Sequence, residues 1–339
     1  MTRVGFEAFV ADHRLPEAFT VLGGADAAPE PVAPGTTCLI ALEDDRPRAR
    51  CTLGIRADLR GAPGCSGWVG HYEARDPEPG AALLREAARR LAAQGAERVL
   101  GPMNGSTWAR YRLVVDAEPG DVEPGPPPFP GEPRNPPEYP RHFHAAGFEV
   151  VARYESRLDD LAHEPPDVKA LAERVAAAGF SLRPFDVDHF DAELERLFAL
   201  SLEAFAENLY YAPIGAEAFR AMYEPLRGRI DPEFVLIALD RDEAPCGYLF
   251  AFADPPATAA SGTARLVSKT VAVLPRARGR GLANHMLDRL RWSGRRRGFR
   301  ELVHALMQVS NASMRMSARG GGRVFRRYAL YQWTPGAAR

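Results

Sequence analysis

The chain has 339 residues, about two domains at roughly 150 residues each. With 46% apolar and 26% charged residues it reads as a soluble protein with a real core, and its apolar run Phe234–Leu239 is too short to span a bilayer. A formal net charge of −1 excludes a global field that gathers nucleic acid or acidic lipid, and Glu7 and Asp12 interrupt the N-terminus before a signal-peptide core can form.

Taken along the chain, Cys38, Cys51 and Cys65, with Cys246 later, show no C-x-x-C pair and no companion His at finger spacing. That argues against a zinc site and for a reducing, cytoplasmic compartment. Trp68–Ala74 predicts a strand, and Gly80–Gln94 an amphipathic helix with Leu84, Ala88 and Leu91 on one face. Arg98–Leu100 is a second short strand, leading into Gly101–Trp108. From Asp116 to Pro137 the prolines are too dense for a helix or a central strand, so this stretch is expected as an excursion within a domain. The boundary is expected across 160–178, a linker with a Pro pair and a short helix. It separates a domain at 1–159 from one at 179–339.

The second half repeats the order of the first: strand Arg265–Leu274, helix Leu282–Gly294 with Leu282, Met286 and Leu290 aligned, then strand Glu301–Gln308. Asn104-Gly-Ser106 falls where Asn311-Ala-Ser313 falls, and Val151–Tyr154 where Phe325–Tyr328 falls. Several matches in one order predict duplication of a module.

The sharpest feature is Val273-Leu-Pro-Arg-Ala-Arg-Gly-Arg-Gly-Leu-Ala-Asn284, a strand end, a glycine loop and a helix start. Orphan N–H groups and the helix dipole meet there. Gly279 and Gly281 let an anion approach, and Arg276, Arg278 and Arg280 add donors, which makes a diphosphate cradle. It is neither a Walker loop nor a dinucleotide fingerprint, since no Gly-Lys-Ser/Thr follows and Gly-x-Gly-x-x-Gly is not met.

Arg278-Gly-Arg-Gly281-Leu-Ala283, after Val273-x-Pro275, resembles the Arg/Gln-x-x-Gly-x-Gly/Ala motif of the GCN5-related N-acetyltransferase (GNAT) superfamily. The element order from about Ser181 to Trp333 fits that whole fold. The resemblance implies an α/β (α+β) architecture of two acyl-CoA N-acyltransferase-like modules, each a twisted, mostly antiparallel mixed sheet flanked by helices. It implies acetyl-CoA as acyl donor, with the diphosphate held by Arg278, Gly279, Arg280, Gly281, Leu282 and Ala283. Asn311 would contact the pantetheine arm, or serve only as a helix cap. A backbone amide near Ala272 and Val273 would receive the oxyanion. The cofactor would sit where the strands near Val273 and Leu306 splay apart.

Acyl transfer needs the amine to lose a proton, the oxyanion to find a donor and the thiolate to be protonated. The family's usual tyrosine falls here at Ala318, so Ser317, Tyr331 or Tyr328 are the candidate replacements. Glu207, one turn from Glu203, is the candidate base, and Phe205, Tyr210 and Tyr211 could wall an acceptor pocket or be core. In the first half the corresponding loop is Arg75-Asp-Pro-Glu-Pro-Gly80. Two carboxylates repel a diphosphate and two prolines delete donors, so this copy is expected to be degenerate. His71, His285 and His304 lack partners at informative spacing, so neither a triad nor a metal is expected. The Arg289–Arg300 run reads as a solvated face rather than an RNA site.

The expected function is transfer of an acetyl or other acyl group to a small-molecule or peptide amine in a ternary complex. The alternative is a non-catalytic acyl-CoA-binding or sensory protein. The sequence names neither the acceptor nor the oligomeric state.

Overall fold

The structure, a computed structural model, describes residues 4–12, 32–115, 127–255 and 262–336, with Phe19, Thr258 and Ala260. Of the Pro-rich excursion, residues 116–126 lie outside the described residues; from Pro127 the backbone is irregular and buries Phe129 completely.

The first half comprises β1 (Gly5–Val10), β2 (Thr37–Glu43), β3 (Arg46–Arg56), β4 (Ser66–Ala74), α1 (Pro77–Ala93), β5 (Arg98–Gly101), β6 (Leu113–Val115), α2 (Tyr139–Ala145) and β7 (Glu149–Asp160). After α3 (Val168–Ala177) come β8 (Ser181–Pro184), α4 (Phe190–Ala204), α5 (Ala216–Tyr223), β9 (Val235–Leu239) and β10 (Pro245–Ala253). The second half closes with β11 (Arg265–Val273), α6 (Leu282–Arg296), β12 (Glu301–Gln308), α7 (Ser313–Arg319) and β13 (Arg323–Trp333).

Two crossovers organise the molecule. Parallel neighbours need a long connection, and α1 joins β4 to β5 as α6 joins β11 to β12. Each helix reaches its sheet through an apolar stripe: Leu84, Ala88 and Leu91 in α1, and Leu282, Met286 and Leu290 in α6, are all buried. Withdrawing each such Leu or Met from water contributes about 1.5–3 kcal/mol. In the second half α3 and α6 cover one face of the sheet, and α4 and α5 the other.

Each half keeps the expected mixed sheet and helices, but the two sheets are one. The strand order is β1-β2-β3-β4-β5-β13-β7-β12-β11-β10-β9-β8, with β6 beside β13. The closing strand of each half is exchanged: β13 pairs with β5 of the first half, and β7 with β12 of the second. Between them β7 and β13 run antiparallel with Tyr154 opposite Tyr328, the two tyrosines matched in sequence. Equivalent residues facing each other is the signature of a two-fold interface, here within one chain.

Candidate active site

At the end of β11, Gly279 and Gly281 both take left-handed conformations, with φ of 76° and 82°, and Gly281 caps α6. The first-turn N–H groups of Leu282, Ala283 and Asn284 have no intrahelical acceptor. A Cβ on Gly281 would lie 2.6 Å from Leu171 of α3, whereas one on Gly279 would meet open space. Gly281 therefore serves packing as well as conformation, and Gly279 is the open side of the loop. The arginines divide similarly. Arg276 pairs with Asp240 and bonds the Pro245 carbonyl. Arg278 donates to the carbonyls of Val273 (3.1 Å) and Ala204 (2.8 Å). Arg280 is exposed and has no hydrogen-bond or ion-pair partner among the described residues.

The parallel ladder of β11 and β12 runs from Arg265 opposite Glu301 to Ser268 opposite His304 and stops there, although both strands continue. Leu306 causes the divergence. It is left-handed (φ 55°) at a register shift between β12 and β7. Its N–H donates to Ser156 Oγ (3.0 Å) on β7, and its carbonyl accepts from Arg112 (3.0 Å). The Ser156 hydroxyl is in turn hydrogen-bonded with that of Tyr328, which also bonds the buried Glu132. The opening is a cavity of about 280 Å³ lined on the strand side by Ser268–Val271 and His304–Gln308, with Asn311 at its end.

The first half shows the same place closed. At the offsets that Leu306 and Ser268 occupy in the second ladder, Met103 N–H donates to the Val69 carbonyl (2.8 Å), prolonging the pairing. Asn104 Oδ1 then accepts from the amide of His71 (2.7 Å), filling the remaining gap with a side-chain carbonyl. Gly70 permits this approach, since a Cβ there would lie 2.4 Å from the Met103 carbonyl oxygen.

The far wall of the open cavity comes from both halves. Trp108 reaches across, donates to the Ala212 carbonyl (2.9 Å) and sits edge-on to Phe205 and Tyr211. Arg60 and the Tyr210–Tyr211 segment exchange backbone hydrogen bonds at 2.8 Å. Tyr211 is buried, and its hydroxyl has no partner among the described residues.

Lys269 lies on the floor, as the extra residue where β11 bulges against β10. Its side chain is exposed, and the protein packed around it takes away part of its hydration. That desolvation, with the nearby Arg112, lowers its ammonium to about 8, while Glu132 opposes the shift. His304 is buried, with Nε2 3.2 Å from Asp159, and Asp159 also pairs with Arg291. Burial first, then Arg291 and Arg157, push the imidazole down to about 3.

The structure brings together only part of the predicted set. Asn311 lines the cavity rather than capping α7 with its side chain. Ala272 and Val273 do not line it; Ala272 is buried under α4, and the strand segment at the cavity is Ser268–Val271. Tyr331 is 1% exposed, packed against Phe143 and edge-on to His144 in the first-half core. Ser317 is buried beneath Gly322, away from the cavity. Tyr328 is committed to Glu132 and Ser156, and burial drives its phenol far above the usual range. Glu207 stands at the surface between the cavity residues Phe205 and Asn208, 3.9 Å from Arg60 and Arg278. His304 does have an acidic partner, one 145 residues distant and so invisible to spacing. Sequence reasoning missed Lys269, although a signal existed: it is one of only two lysines in an Arg-rich chain, in mid-strand. No group of His, Cys, Asp and Glu among the described residues could hold a metal ion.

Residues 194–319 match the model of the acetyltransferase (GNAT) family. Among solved structures, the chain is similar to a GCN5-related N-acetyltransferase from Anabaena variabilis, at 10% identity and TM-score 0.54, covering 97% of this chain and 72% of that one. It is also similar to a tandem GNAT protein from the clavulanic acid biosynthesis pathway, at 15% identity and TM-score 0.53, covering 99% and 100%. A third likeness is to the glucosamine N-acetyltransferase region of a fungal multi-domain β-N-acetylglucosaminidase, at 12% identity and TM-score 0.54. It covers 98% of this chain and 38% of that one. At these identities the likeness is one of fold. No curated protein matches the sequence.

Proposed function

We propose that this chain, whose residues 194–319 form a module of the GNAT acetyltransferase family, is an N-acyltransferase that takes its acyl group from acetyl-CoA. The observation that carries the reading is the contrast between the two ladders. The first is sealed by Met103 and Asn104, and the second is held open by Leu306 beside a glycine loop with unengaged donors. The first half then has a supporting role, clamping Leu306 through Arg112 and Ser156 and supplying Trp108.

In this reading the diphosphate lies on the loop amides from Gly279 to Ala283 with Arg280 as the side-chain donor. The other two loop arginines are already engaged, Arg278 in fixing the loop to β11 and α4. The pantetheine arm passes between β11 and β12 toward Asn311. Asn104 indicates what a strand amide at this level takes, namely a carbonyl oxygen, so an amide of the cavity-lining segment Ser268–Val271 that faces β12 is the proposed oxyanion donor. The amine nitrogen attacks the thioester carbon. The new N–C bond forms, the C–S bond breaks with its electron pair, and the thiolate takes up a proton as the amine sheds one. Glu207 at the rim is the proposed acceptor of that proton through water. A cytoplasmic location fits such a donor, and no helix among the described residues is long and apolar enough to cross a membrane.

Calorimetric titration with acetyl-CoA tests the reading. Wild type is expected to bind at one site, and Arg280→Glu to weaken binding by about tenfold or more, the worth of a charge-assisted contact. As a surface change it should leave stability within about 0.5 kcal/mol. Absence of binding sinks the proposal, and a second site would mean the first-half ladder opens. Binding without turnover of any amine would favour the non-catalytic alternative.

A further inference from the structure

The charge inside the cavity restricts what the acceptor can be. Its lining includes Trp108, Phe205 and Tyr211 on one wall and the strand ends on the other, and no Asp or Glu among the described residues. Lys269 is the charged member of the lining. Its ammonium has no hydrogen-bond or ion-pair partner among the described residues. The nearest carboxylate, Glu132, is already bonded by Arg326 (2.9 Å), the Phe129 amide (3.1 Å) and the Tyr328 hydroxyl. One layer below, Arg112 is stacked on Tyr111 and Tyr154, 3.7 and 4.1 Å from the ring centres, and adds a second positive charge.

Such a cavity disfavours a polycationic or singly cationic amine, because the protonated form meets like charge with no carboxylate in the lining to offset it. It favours an acceptor that brings its own anion to Lys269, with an apolar body for the aromatic wall. The local positive field also favours the neutral, nucleophilic form of the amine. We propose, building on the acyltransferase reading, that the acceptor is a carboxylate-bearing amine, an α-amino acid with an aromatic or large aliphatic side chain. Its carboxylate pairs with Lys269 and its side chain rests on Trp108, Phe205 and Tyr211. The products are the N-acylated amino acid and the free thiol of coenzyme A.

The test measures thiol release from acetyl-CoA with phenylalanine, tyrosine, tryptophan, leucine and methionine, each beside its decarboxylated amine. Wild type is expected to show kcat/KM at least about tenfold higher for the best amino acid than for its decarboxylated counterpart. Lys269→Met should collapse that ratio by about tenfold, mainly through KM, while Lys269→Arg preserves most of it. A preference for the decarboxylated amines overturns the proposal. So does an equal loss of kcat for both kinds of acceptor in Lys269→Met, which would make Lys269 a proton-transfer group. Acetyl-CoA binding is titrated on the same samples. If the donor binds and no amino acid releases thiol, the acceptor class is wrong and the donor reading stands. If the donor fails to bind, both fall. Should Lys269→Met fold poorly, the amino acid to amine ratio in wild type and Lys269→Arg still decides the matter.

Discussion

His304 reaches the cleft from β12 with Nε2 against Asp159, while burial first, and then Arg291 and Arg157, hold the imidazole neutral down to about pH 3. In the unfolded chain the same group titrates near 6.5. The unfolded state therefore binds the proton first. The stabilisation is complete above about pH 6.5 and is lost progressively as pH falls toward the folded value. Between pH 7 and 5 this site should cost up to about 2 kcal/mol. Urea midpoints for wild type and His304→Gln at both pH values check it. The wild type should lose more stability on acidification than the variant, and parallel losses would refute the assignment. His71, pushed down to about 4 chiefly by burial, acts in the same direction, so the comparison has to be made as a difference. That His304 matters at all was not legible in the sequence, because its partner arrives on the strand exchanged from the other half.

At the scale of elements, the contact between α3 and α6 is set by one glycine. Gly281 is left-handed and its missing Cβ makes room for Leu171, so the helix N-terminus and its packing are fixed together. Gly281→Ala should lose about 2–4 kcal/mol, joining the left-handed penalty to an overpacked contact. Gly279→Ala, facing open space, should lose only about 1–2 kcal/mol. Chemical denaturation of both, and of Gly281→Ala with Leu171→Ala, distinguishes the two causes; the double variant should recover the packing part, and equal losses at the two glycines would exclude a packing role. Helix α6 and its stripe were legible because Leu282, Met286 and Leu290 repeat at helical spacing on a sheet-facing side. The helix at 168–177 was legible only as an outline. Its job of seating Leu171 under Gly281 is a contact between residues far apart in sequence, which periodicity does not encode.

The whole molecule behaves as a two-fold pair joined in one chain. Because β7 completes the second half and β13 the first, neither 1–159 nor 179–339 carries all the strands its own sheet uses. Residues 179–339 alone would leave β12 without its β7 partner and expose apolar strand edges. That fragment is expected to be unfolded or aggregated by circular dichroism and light scattering, and co-expression with 1–159 to restore a soluble complex. A folded, acetyl-CoA-binding fragment would show the exchange to be dispensable. The open cleft depends on the same arrangement, since Ser156 and Arg112, which hold Leu306, both belong to the first half.

By itself the sequence determined the strand–loop–helix units, the glycine loop with its Arg280, the repeat of one module and the acidic, proline-bearing loop Arg75–Gly80 in the first copy. Each of these is written in residues close together along the chain, where helical or strand spacing and the conformational freedom of glycine act locally. Only the tertiary structure decided that β7 and β13 change places, that Leu306 opens one ladder while Asn104 closes the other, and that Lys269 stands without an ion-pair partner in a cavity lined by both halves. Those outcomes follow from which distant backbone donor finds which acceptor and from how much water a charge keeps. Both are properties of neighbours in space rather than along the chain.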